Sequence, residues 1–188
     1  DLAFIKVTDE KIFYCAVNSY FNVCRFCMRE ENGTGYPNEE EPMDTNPKVR
    51  ITLNDGRTIN LELYPDIAPV SVENFLRLVD EGFYSNTFFH RVIEGFMIQT
   101  GWMEYSNQTI KYKPTQPTIK GEFSENGVKN DLKHTAGVIS MARSVANDTA
   151  SAQFFICSDD SPHLDGKYAA FGKVTDEQSL RVVKNISE

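Results

Sequence analysis

The stretch FFHRVIEGFMIQTG, residues 88–101, has the apolar content of a buried strand but carries an arginine at position 91 and a glutamine at position 99. A guanidinium with no adjacent carboxylate is costly to bury, because its desolvation goes uncompensated. Either Arg91 turns outward to water, or it lines a partly dry cavity where a ligand supplies its partner.

The surrounding segments read as strands and turns. Upstream, KVRITL and RTINLELY flank Asn54-Asp55-Gly56, a hairpin signal because Asp-Gly tolerates positive φ at low cost. A helix follows: Pro69 suits a first turn, Gly82 suits a left-handed cap, and Val72, Phe75, Leu76 and Val79 recur at helical spacing. Then TFFHRVI, FMIQTG, AGVISMA, AQFFICS and AAFGKV read as short strands between turn-rich loops. Thr175-x-x-Gln178 opens a last helix as a capping box, with Leu180, Val183 and Ile186 apolar. Many short strands with one early and one late helix predict a mainly β fold, a closed barrel capped by two helices.

Composition narrows the function. The chain has 188 residues, a net charge of −8, 40% hydrophobic and 24% charged residues, so one domain with a sizeable core is expected. Without a basic cluster, nucleic acid and anionic membranes are not expected partners. The apolar runs are too short to span a bilayer as a helix. The N-terminal DLAFIKVTDEK lacks the basic-then-apolar layout of a signal peptide, and a cytoplasmic location is the expectation.

Residues 1–29 read as an N-terminal extension in which LAFIKV and IFYCAV suggest a hairpin. Residues 30–46 hold six Asp/Glu, two Gly and two Pro without apolar periodicity, which reads as an acidic linker to a domain at 47–188. Cys24-x-x-Cys27 invites a zinc or a redox reading. A closed zinc site needs four ligands, however, and residues 1–46 offer three cysteines and no histidine. Reduced cysteines in an apolar segment are the expectation, with the other two kept as alternatives.

Common catalytic constellations are missing: no G-x-S-x-G elbow, P-loop, dinucleotide fingerprint or H-E-x-x-H is present. The three histidines, His90, His134 and His163, have no local metal spacing, and each reads as a hydrogen-bonded structural residue or a pocket wall. No metal or other cofactor is expected.

Four blocks, FFHRVIEGFMIQTG, GVISMARS, SAQFFIC and LDGKYAAFGKV, in this order and spacing, resemble the cyclophilin family of peptidyl-prolyl cis–trans isomerases. The resemblance runs from about Pro47 to about Ile186 and leans towards the bacterial branch. It implies an eight-stranded antiparallel barrel with a proline groove on its outer face. By position, the family's catalytic arginine falls on Arg91, and its proline pocket on Phe96, Met97, Phe155 and Leu164. Its polar contacts fall on Gln99 and Gln153, and its peptide-backbone contact on Ala142 and Arg143. His163 and Tyr168 occupy places where other members carry tryptophan and histidine. Implied partners are proline-containing peptides, unfolded or folding proteins, and cyclosporin-type ligands.

Such chemistry explains why no nucleophile is found. Rotating an X–Pro bond breaks only amide resonance, against a barrier near ~20 kcal/mol. In the twisted state the proline nitrogen regains a lone pair, to which a guanidinium in a low-dielectric groove can donate. The alternative reading is a catalytically weak proline-peptide binding or scaffold module.

Three features depart from the family pattern. Thr100-Gly101-Trp102 replaces the usual Gly-Gly-Asp, and the glycine-rich loop that follows is WMEYSNQTIKYKPTQPTIKGEF. One groove wall is therefore expected to be rebuilt, with Trp102 either shaping the pocket or merely packing. Glu94 stands where proline is common and either faces solvent or pairs with Arg91. Finally, no counterpart of the family's closing strand follows the last helix. Either the barrel is open, or a longer chain was cut, or residues 2–17 replace the strand, and the expectation is that part of residues 2–17 pairs with the barrel.

Overall fold

The computed structural model describes residues 4–9 and 46–188. Alternation of apolar and polar residues makes the first strand, β1 (Phe4–Asp9), whose Ile5 and Val7 are buried while Lys6 and Thr8 are exposed. It pairs antiparallel with β2 (Lys48–Leu53), which in turn pairs with β3 (Thr58–Leu63) across the Asp55-Gly56 turn. Gly56 takes φ +86 there, and the Asp55 carboxylate accepts the Arg57 backbone N–H at 2.9 Å. The expectation that part of residues 2–17 supplies a strand is met by β1. The second half of the expected hairpin, and nearly all of the expected linker, lie outside the described residues.

Helix α1 (Pro69–Asp80) begins at the expected proline and buries Val72, Phe75, Leu78 and Val79, with Leu76 half-buried. Its cap was not foreseen. Ala68 offers no side-chain acceptor, and the buried Glu122 supplies one from a distant loop: its carboxylate accepts the N–H groups of Val70 (2.9 Å) and Ser71 (2.8 Å) and the Ser71 hydroxyl (2.6 Å).

TFFHRVI, expected as one strand, is two: β4 (Thr87–Phe88) and β5 (Arg91–Ile93), separated by a corner at Phe89–His90. β6 (Met97–Thr100) follows. The rebuilt segment after it holds a hairpin, β7 (Met103–Ser106) and β8 (Thr109–Tyr112), joined by Asn107 and Gln108, both at positive φ (51° and 60°). That two-residue turn matches the right-handed twist of the strands it joins. Then come β9 (Val138–Met141), β10 (Phe154–Cys157), β11 (Ala170–Val174) and α2 (Glu177–Ser187). The cap of α2 is Asp176, which accepts the Ser179 N–H at 2.7 Å, rather than the expected Thr175.

Antiparallel pairing joins the strands in the order β5-β6-β10-β9-β11-β3-β2-β1-β4-β7-β8. The fold is thus mainly β with two helices, as expected. The expected closed eight-stranded barrel is not reproduced as a ladder, because among the described residues eleven strands run in an open order with β5 and β8 at its ends. The chain corners at Phe89–His90 and again at Gly101, which has φ +94 and where an added Cβ would lie 2.6 Å from the Ala152 carbonyl oxygen. Only glycine fits that approach. Across the two corners, the Thr100 hydroxyl donates to the Phe88 carbonyl at 2.9 Å.

The main core lies between the sheet's inner face and α1. Phe75 contacts Tyr84, Phe154 and Phe171 at ring separations of 5.4, 5.2 and 5.4 Å. Ile51, Ile59, Leu61, Ile98 and Ile156 are fully buried around them. Among the described residues, no helix is long and apolar enough to cross a membrane.

Candidate functional site

Strand register assembles the site. In the β5–β6 hairpin Arg91 lies opposite Gln99 and Ile93 opposite Met97; in β10, Phe155 lies opposite Gln99 and Cys157 opposite Met97. Residues directly opposite in an antiparallel pair share a face, so Arg91, Gln99 and Phe155 form one row across three strands. Their neighbours along the chain, Ile98, Phe154 and Ile156, point the other way into the main core. Met97, Phe155, Cys157 and Leu164 instead make a second buried cluster, with Phe96, Ala142 and Tyr168 packed against it.

A cavity of about 380 Å³ opens over this cluster. Arg91 and Gln99 give its polar lining, and Phe96, Met97, Phe155 and Leu164 its apolar floor. Ala142, Arg143, His163 and Tyr168 complete the wall. The remaining expected residue, Gln153, is tied in through Gln99: its Oε1 accepts from Gln99 Nε2 at 2.9 Å, while Gln99 Oε1 accepts from Arg91 Nη1 at 3.1 Å. A larger and more open groove of about 660 Å³ beside α1, under Pro47 and Pro65, holds none of these residues.

Arg91 is exposed and also lines the cavity, so both answers to the opening question hold in part. Glu94 sits exposed in the β5–β6 turn and makes no ion pair with it among the described residues. The guanidinium is thus aimed by an uncharged amide and keeps its charge uncompensated within the groove.

Arg143, besides lining the cavity, has a use within the fold. Its Nε and Nη2 donate to the Lys167 carbonyl (3.1 and 2.9 Å), and its Nη1 to the carbonyls of Ser144 and Val145 (3.0 Å each). The guanidinium also lies 4.7 Å from the Tyr168 ring centroid and 5.1 Å from that of Phe123. It ties the loop after β9 to the turn before β11, where Tyr168 meets Phe155 edge-on at 5.9 Å. The Ala142 N–H is likewise engaged, donating to the Gln153 carbonyl at 3.0 Å. His163 lies on a 3-10 turn, Pro162–Leu164, with its ring 5.2 Å from Phe96.

The structure adds His134, whose place in the site no local spacing revealed. Its ring is stacked under Phe155 at 6.2 Å, with Nδ1 3.1 Å from Asp165 Oδ1 and Nε2 3.0 Å from Ser140 Oγ. Burial holds its pKa below the ordinary histidine value, with Asp165 opposing. Although an Asp-His-Ser line resembles a hydrolytic triad, Ser140 is fully buried and opens to no substrate. The line fixes the floor beneath Phe155. Cys157 is no nucleophile either, because burial pushes its thiol pKa up to about 12.

Among the described residues, no group of three or more His, Cys, Asp or Glu converges as a metal site. Cys15, Cys24 and Cys27, with their zinc and redox alternatives, lie outside the described residues.

Comparison with known proteins agrees with this geometry. Residues 48–188 match the family described as cyclophilin type peptidyl-prolyl cis-trans isomerase/CLD. A Helicobacter pylori peptidyl-prolyl cis-trans isomerase is 40% identical over 81% of this chain and 88% of its own length. Peptidyl-prolyl cis-trans isomerase B of Bacillus subtilis is 44% identical over 72% of this chain and 87% of its own. A crystal structure of a Cryptosporidium parvum cyclophilin type peptidyl-prolyl cis-trans isomerase, obtained in the presence of the dipeptide Ala-Pro, aligns with a TM-score of 0.59. That likeness covers 73% of this chain and 85% of the other at 33% identity. With the apolar groove and its arginine on the outer face of a mainly β fold, these matches settle the family: the chain belongs to the cyclophilin-type peptidyl-prolyl cis-trans isomerases.

Proposed function

We propose that the cavity bounded by Arg91 and Phe155 is the isomerase site and that it takes proline-containing segments of peptides and of unfolded or folding proteins. The observation that carries this is the row Arg91–Gln99–Phe155, which sets a cation beside the apolar floor of a cavity of about 380 Å³, room for a proline ring and its flanking backbone. Met97, Phe96, Phe155 and Leu164 hold the pyrrolidine ring by burial. Arg91, oriented by Gln99 and Gln153, donates to the proline nitrogen as the amide twists. Because this lone pair exists only in the twisted state, the hydrogen bond lowers the barrier without tightening ground-state binding equally. His163, Ala142 and the Arg143-pinned loop bound the peptide on either side. The Ala-Pro dipeptide used with the Cryptosporidium relative supports this ligand class, and cyclosporin-type ligands belong to the same proposal by family likeness. In this reading the curled ladder acts as the family's barrel, closed at the Thr100–Phe88 contact by a side chain instead of a β5–β8 pairing.

A proline-isomerisation assay on a short Ala-Pro peptide tests the assignment. Arg91→Ala should lower kcat/KM by about 10²- to 10³-fold, the usual loss for one transition-state donor, with the melting temperature unchanged. Near-normal turnover in that variant refutes the role of Arg91. Peptide binding without turnover in the unaltered protein returns the scaffold reading.

A further inference from the structure

We propose that the outward face of the β7–β8 hairpin, together with Trp102, extends the peptide site and takes an aromatic or large aliphatic side chain of the substrate a few residues from its proline. This rests on the groove being the proline site and adds a substrate preference to it.

Register defines the face. Met103 lies opposite Tyr112 and Tyr105 opposite Ile110, so these four share one side of the hairpin and Glu104, Ser106, Thr109 and Lys111 share the other. The second side is tied down: Glu104 pairs with Lys113 at 2.6 Å, and Lys113 lies 5.4 Å from the Phe83 ring and donates to the Ser85 carbonyl at 3.2 Å. On the apolar side Ile110 is 51% and Tyr112 68% exposed, and Trp102 beside them is 43% exposed. Clustered apolar exposure on an otherwise charged surface marks a binding surface more often than it marks chance.

Continuity with the groove names the occupant. The Trp102 ring lies 5.1 Å from Tyr112 and 5.5 Å from His90. His90 directly precedes Arg91 and lies against Gln153, the residue that accepts from Gln99. The rings therefore form an unbroken path from the polar edge of the groove to the hairpin. An extended peptide advances about 3.3 Å per residue, so a chain leaving the groove reaches Tyr112 roughly three to five residues from its proline. The hairpin stands where a glycine-rich loop would offer no side chains for such a contact.

Trp102 is the only tryptophan in the chain, so its emission reports occupancy directly. The probes are eleven-residue peptides with one central proline, carrying either Phe or Ala at the third to fifth positions on both sides. The Phe peptides should shift Trp102 emission and show a KM about tenfold below that of the Ala peptides, the usual weight of an aromatic contact. In Tyr112→Ala that ratio should approach unity. An equal KM for both peptides with unchanged emission overturns the proposal, as does a preference that survives Tyr112→Ala. The underlying assignment fails separately: if the unaltered protein turns over no Ala-Pro peptide, the isomerase-site reading is lost. The emission shift with Phe peptides, and its loss in Tyr112→Ala, still decide the hairpin's role.

Discussion

Replacing Glu122 by alanine removes the acceptor that starts α1. Three donors converge on this carboxylate at 2.6 to 2.9 Å, and Ser71, which supplies two of them, is fully buried. No other side chain substitutes, because Ala68 at the cap position cannot accept and the first turn holds no acidic residue. Leaving one buried N–H without a partner costs about 1–3 kcal/mol, and losing a cap costs roughly 0.5–2 kcal/mol. The Val70 N–H can turn to water, because its residue is 38% exposed, and the alanine no longer bears the cost of burying a charge. The net loss is therefore about 2–3 kcal/mol, which for a domain of this size lowers the melting temperature by roughly 4–12 °C. Glu122→Gln should recover little, since its amide NH₂ presents further donors to the same N–H groups. Thermal denaturation at pH 7 followed by circular dichroism measures the shift, with the exposed Glu125→Ala as control. A shift below about 1 °C for Glu122→Ala, or an equal one for Glu125→Ala, refutes the capping argument.

Since the proposed chemistry moves no proton, kcat/KM for an Ala-Pro peptide should stay nearly flat between about pH 6 and 8, and a bell-shaped profile would point to acid–base catalysis. Stability should instead depend on acid. Burial is the main cause holding the pKa values of His134 and His90 below the ordinary histidine value, so below about pH 6.5 the unfolded chain binds protons that the native state refuses. The urea midpoint should thus be fully retained at pH 7.5 and reduced at pH 5, still above the range where Asp165 titrates; equal midpoints contradict it. Deleting residues 1–28 removes β1, exposes the edges of β2 and β4 and strips cover from the core that Ile5 and Val7 complete. A loss of several kcal/mol or insolubility is expected, and an unchanged melting temperature refutes a structural role for β1.

Local signals carried most of the strands and both helices. The Asp55-Gly56 turn, the Pro69 start and the apolar stripe of α1 each depend on neighbours in the chain, so composition revealed them. The β7–β8 hairpin was hidden because its turn is Asn107-Gln108, without the glycine that usually announces positive φ at both positions. Glu122 stands 51 residues from the helix it caps, and no periodicity reports a partner at that range. The shift of the α2 cap from Thr175 to Asp176 was a choice between adjacent good acceptors. Within the site, Arg91, Gln99, Met97 and Phe155 were legible from their motifs. The use of Arg143 as a backbone clamp and of His134 as a prop under Phe155 depended on loops meeting in space. Composition likewise left open whether Glu94 would pair with Arg91, since only the position of the β5–β6 turn decides it.

The two faces of β6 and β10 behave as separate addresses for mutation. At Ile98, Thr100, Phe154 and Ile156 a change is felt by the interior, and a lost methylene is answered with lower stability. One position along, Met97, Gln99 and Phe155 face the other way and line the proposed peptide groove, with Cys157 packed among them in the buried cluster. A lineage, or a library, can therefore retune which peptides are accepted by varying alternate codons while leaving the intervening ones untouched. Cys157 marks where this independence weakens, because it is fully buried against Met97, Phe155 and Leu164, so a change there alters packing and groove floor together.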